Sequence, residues 1–81
     1  MARKATVEQM TQTLSQPGDW YPKGYTVTSV YYPGEDEPEV TVRRREATGA
    51  VSAEPLLVSV APRAAAEWLH ANGIRIYPQA G

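Results

Sequence analysis

Few side chains in this 81-residue chain are suited to chemistry. There is one histidine, His70, and no cysteine. The missing thiols exclude a disulfide framework, a thiolate metal site, a cysteine nucleophile and an iron–sulfur cluster. His70 would act as a general base only beside a group that orients it. No serine motif and no recognisable carboxylate partner accompany it, and zinc would need several carboxylates around a lone imidazole. His70 therefore reads as a surface or helix-end residue. Glu35, Asp36, Glu37 and Glu39 form an acidic stretch that could attract a divalent cation. Their spacing does not match an EF-hand loop, which alternates its oxygen ligands and needs a glycine for the bend. A solvated turn that resists aggregation accounts for them better. A third reading lets the carboxylates imitate phosphates and engage a basic groove on a partner. Gly18, Gly24 and Gly34 sit in turns near prolines and form no phosphate-cradling loop. So short a chain also leaves little room for the pocket an enzyme uses. The expectation is a non-enzymatic protein without metal or cofactor.

Arg43, Arg44 and Arg45 follow the acidic stretch by only a few residues. The net charge is −1, from eight Lys and Arg against nine Asp and Glu. That balance argues against nucleic-acid binding through bulk electrostatics. The separated clusters make the region strongly dipolar instead. Phe is absent, while five Tyr and two Trp are present. Such aromatics carry a polar handle and suit partly wet sites, interfaces among them. Trp20, Tyr21, Tyr25, Tyr31 and Tyr32 crowd into residues 20–32. Of Trp20 and Tyr21, one is expected as a core plug and the other at the surface. No window approaches the roughly 18 consecutive apolar residues of a membrane span. No apolar segment follows Arg3 and Lys4 as a secretory signal requires, so a cytoplasmic location is expected.

The elements that must position these residues can be read from spacing. Residues 1–5 form a flexible leader and 79–81 a tail, around a single domain at 6–78. Thr6-Val7-Glu8-Gln9 fits a capping box, and Val7, Met10 and Leu14 make one apolar helical stripe. Pro17-Gly18 ends that helix, and 17–24 reads as a loop. Residues 25–32 are β-branched and aromatic and predict a strand. Pro33 to Pro38 make a turn, and 39–46 alternate as a second strand. Residues 47–55 look irregular, and Leu56 to Val60 predict a third, more buried strand. Pro62 opens a helix over 62–71, with Ala65, Trp68 and Leu69 inward and Arg63, Glu67 and His70 outward. Asn72-Gly73 stops it, and Ile74 to Tyr77 predict a short last strand, parallel to the third. The fold class is α+β, in the order α-β-β-β-α-β, with a mainly antiparallel sheet and helices on one face.

The hairpin carries a geometric expectation. If Tyr32 pairs with Glu39, then Val30 faces Thr41, Thr28 faces Arg43 and Thr26 faces Arg45. Tyr25, Val27, Ser29 and Tyr31 then share the other side with Val40, Val42 and Arg44. That second side is the more apolar and should cover the core. The first side becomes a solvent-facing surface of Thr, Arg and Tyr32. Exposed Tyr beside Arg is the composition of binding hot spots.

Helix, three strands, helix, with Tyr25-x-Val27, a Pro-Gly turn and Ala64-Ala65-Ala66 leading into Trp68-Leu69, resembles the double-stranded-RNA-binding domain. The likeness covers about residues 6–70 and is mostly topological. It implies phosphate contacts from the start of the second helix, where Ser59-Val60-Ala61-Pro62-Arg63 holds a single basic residue. Nucleic acid is thus one alternative partner, with the Arg run on phosphates and a Tyr on a base. A protein partner accommodates both charge clusters, because opposite charges steer docking and fix its register. The leading expectation is a small protein-binding accessory or inhibitor protein, of the kind phages direct against host complexes. Its expected contacts are Trp20, Tyr21, Tyr32, Glu35, Asp36, Glu37, Arg43 and Arg45. A self-assembling structural subunit or homodimer is the third reading.

Overall fold

A computed structural model describes residues 5–77. The helix α1 (Val7–Leu14) is followed by strands β1 (Gly18–Trp20), β2 (Tyr25–Val30), β3 (Glu39–Arg45) and β4 (Val51–Val60), then by helix α2 (Pro62–Ala71). The strands form one antiparallel sheet in the order β1-β2-β3-β4, so each pairs only with its neighbours in sequence. The class is α+β, as expected. The element order is α-β-β-β-β-α, with a strand gained at the start and one lost at the end.

Local chemistry explains both helices. In α1 the Thr6 hydroxyl accepts from the Gln9 backbone at 3.1 Å, and the Gln9 side chain accepts from the Thr6 backbone at 3.0 Å. This reciprocal box satisfies two donors that a helix start otherwise leaves open. Pro62 begins α2, where its missing N–H costs nothing. Gly73, at φ 72°, ends it in a left-handed turn that L-residues disfavour. There Ile74 N–H donates to Leu69 O at 2.9 Å and Gly73 N–H to His70 O at 3.1 Å, the two bonds of a Schellman cap.

That cap swings Ile74 and Ile76 into the core, yet residues 74–77 form no strand. The alternation that predicted a strand reports alternate burial, and burial is met here without a backbone ladder. Conversely, the expected loop at 17–24 contains β1. Gly18, Asp19 and Trp20 pair with Ser29, Thr28 and Val27. Gly and Asp disguise the strand by propensity, but Gly18 is required by packing. A Cβ there would stand 3.3 Å from the Trp20 ring, which folds back over it.

The β2–β3 register differs from the expected one by two residues. Val30 pairs with Glu39, Thr28 with Thr41 and Thr26 with Arg43. Tyr31 and Tyr32 leave the strand for the turn, where Glu35 N–H donates to Tyr32 O and Tyr31 Oη donates to Asp36 O at 2.6 Å. Pro33 and Gly34, at φ 85°, occupy the positions a type II turn favours. A two-residue slip preserves which side each residue faces, so the assignment of the two faces stands.

Leu56 to Val60 were expected to be the more buried strand. The strand instead runs from Val51 and forms an exposed sheet edge. Three register shifts against β3 break its alternation, and Ser59 adopts φ 50°. Such bulges twist an edge and hide its period from sequence. Leu57 and Val60 still pack against the core.

The core lies between the helices and the inner sheet face. Met10, Leu14, Val27, Val40, Val42, Ala65, Ala66 and Leu69 are fully enclosed there. Trp68 packs against this cluster from a partly buried position. Ala5, assigned to the leader, belongs to the core, while residues 1–4 and the proposed tail at 79–81 lie outside the described residues. The Ser29 hydroxyl donates to the Leu14 carbonyl at 3.0 Å. A polar side chain is thereby buried among apolar ones, and a carbonyl at the helix end gains a partner. Among the described residues, no helix is long and apolar enough to cross a membrane.

Candidate functional site

The sheet has an inner face closed by helices and an outer face on which, among the described residues, no helix lies. Alternation sends Thr26, Thr28 and Val30 of β2 outward beside Glu39, Thr41, Arg43 and Arg45 of β3. Leu57 turns inward on β4, so Leu56 and Val58 face outward with them. Val58 is 61% exposed, Leu56 38% and Val30 40%. An apolar band thus borders a field of threonines.

The arginine run divides by role. Arg43 Nη1 donates to the Ala53 carbonyl at 2.6 Å and to Ser52 O at 3.3 Å, tying β3 to the irregular start of β4. Arg45 donates from Nε to Tyr25 O and from Nη2 to Tyr21 O and Pro22 O, at 3.3–3.4 Å. Its guanidinium also lies 5.6 Å from the centre of the Tyr21 ring, within cation–π range. Both arginines therefore brace turns while keeping their charge at this end of the sheet. Arg44 is exposed and lines a shallow open depression of about 290 Å³ with Glu46, Ala50, Val51 and Ser52.

The acidic residues occupy the opposite end, on the turn between β2 and β3. Glu35, Asp36 and Glu37 are exposed. A hydrogen bond with the Glu39 side chain holds the Glu35 carboxyl above its ordinary value, and slight desolvation and the charges of Glu39 and Glu37 act in the same direction. The carboxylates are thus close enough to repel. Among the described residues, no group of three or more acidic or histidine side chains is arranged to hold a metal ion.

The expected contact residues fall into three places. Trp20 is buried at 9% exposure, and its indole N–H has no partner in the structure. Tyr21 beside it is 62% exposed and gathers with Arg43 and Arg45 at one end of the sheet. Tyr32 joins Glu35, Asp36 and Glu37 at the other, so the expected apposition of Tyr32 with the arginines does not form. His70 is exposed on α2. Val30, Leu56 and Val58 were missed. The run Leu56-Leu57-Val58 looked like a buried strand, and only its edge position exposes two of the three.

The sheet has four strands where the likeness to the double-stranded-RNA-binding domain implies three. Comparison with protein-family models, with curated proteins and with solved structures returns no match.

Proposed function

We propose that this chain is a small protein-binding module that acts by docking its outer sheet face on another protein surface. It works without catalysis, as a cytoplasmic accessory or inhibitor protein of the kind phages direct against host assemblies. One observation carries the reading: the uncovered face presents Val30, Leu56 and Val58 to solvent around Thr26, Thr28 and Thr41. Contiguous exposed apolar side chains with a polar rim characterise interaction surfaces. Tyr21 and Arg45, already stacked, supply a pre-ordered aromatic and cationic corner. The acidic turn and the arginine end set the direction of docking.

The test is capture from lysate of the native source at moderate salt, with and without nuclease, using the wild-type chain and a Leu56→Lys, Val58→Lys double variant. Circular dichroism first establishes that the variant is folded. The expected outcome is a nuclease-resistant partner that the folded variant loses. Equal capture by the variant would remove the face from the proposal. Capture that disappears with nuclease would transfer the role to nucleic acid.

A further inference from the structure

We infer that the outer sheet face closes on the same face of a second copy of this chain, through a two-fold axis running across the strands. The inference rests on the reading of this face as a protein-binding surface and names its partner.

Self-packing of one face requires a two-fold axis lying between the two sheets. Two directions are available to it. An axis along the strands places like ends over each other. The turn bearing Glu35, Asp36 and Glu37 would then meet its own copy, with Glu39 on Glu39. The end bearing Lys23, Arg43, Arg44 and Arg45 would also meet itself. An axis across the strands reverses the partner's strands. Each acidic turn then lies over the other copy's basic end. Glu46 and Glu54 temper that end without inverting its sign.

The same axis keeps β4 over β4. Leu56 and Val58, exposed in a single copy, then face their own counterparts, and Thr26, Thr28 and Thr41 meet across the middle. Charge and apolar pattern therefore select one arrangement. Stacked sheets lie about 10 Å apart, close to the Debye length at moderate salt, so the end charges act across the gap. Four strands about 4.8 Å apart and some six residues long present a flat footprint of roughly 400 Å². That is the low end of specific interfaces, so association is weak and responds to concentration and salt.

Sedimentation velocity across a concentration series, at low and high salt, tests this on the full chain. The expected result is a monomer–dimer equilibrium whose association constant falls about tenfold from low to high salt. Two charge variants give the sharper test. One carries Glu35→Lys and Glu37→Lys. The other carries Lys23→Glu and Arg44→Glu, which replace cations whose side chains make no hydrogen bond in the fold. Each alone should be monomeric, and an equimolar mixture should dimerise, because both end contacts become attractive again. The Leu56→Lys, Val58→Lys variant should stay monomeric.

A dimer that persists in that apolar variant, or one indifferent to salt and to the charge exchange, overturns the arrangement. A wild-type monomer at every concentration overturns the second copy as partner. If such a monomer still captures another protein through Leu56 and Val58, the docking face survives and only its partner changes. If it captures nothing through them, both readings fall.

Discussion

Ser29 shows how one hydroxyl can hold two elements together. It is 3% exposed, on a strand face otherwise apolar, and it donates to the last carbonyl of α1. Removing the hydroxyl leaves that carbonyl without its partner, a loss of about 1–3 kcal/mol when the group stays dry. Ser29→Ala should lower the midpoint of urea unfolding by that amount while leaving the slope unchanged. An unchanged midpoint would mean that water reaches Leu14 O. The sequence placed Ser29 on the covered side through alternation, but nothing in its spacing announced a bond to a residue fifteen positions earlier. Arg43 and Arg45 were legible as outward-facing for the same reason. Their bonds to carbonyls of 52–53 and 21–25 were not, because those carbonyls are placed by tertiary turns.

Elements with a local signal were read well. Thr6 and Gln9 mark the start of α1, and Pro62 and Gly73 bracket α2, because caps are short-range chemistry. β1 escaped because three residues between prolines carry no period, and the ladder of β2 alone makes them a strand. β4 was cut short because its bulges scramble alternation. The clearest of these irregularities is Ser59, whose φ of 50° is unusual for a residue with a Cβ. The left-handed region costs an L-residue roughly 1–2 kcal/mol, whereas glycine enters it freely but loses more chain entropy on folding. Ser59→Gly should therefore raise stability by about 0.5–1 kcal/mol, read as a higher thermal midpoint. A lower midpoint would show that the Ser59 side chain compensates for the strain. The Ser59 backbone N–H, bonded to Thr41 Oγ1 at 3.2 Å, is retained in the variant.

The architecture brings the two ends of the chain together. The strands succeed one another in a simple meander, so every sheet contact joins neighbours in sequence. The contact of α1 with α2 is different: it joins the first element to the last. Short-range pairings close small loops and form early, while this contact must close nearly the whole chain. The helices should dock after the hairpins, on the far side of the rate-limiting barrier. Truncating Leu69, fully buried on α2 in the core cluster that includes Met10 and Leu14, tests this order. Leu69→Ala should cost about 2–5 kcal/mol, expressed mainly as faster unfolding with the refolding rate nearly unchanged. Stopped-flow measurements that show slowed refolding instead would place helix docking before the barrier. On the first account, the lifetime of the native state is set by how long its two ends hold each other, and a protease that trims either end would shorten it without touching the sheet.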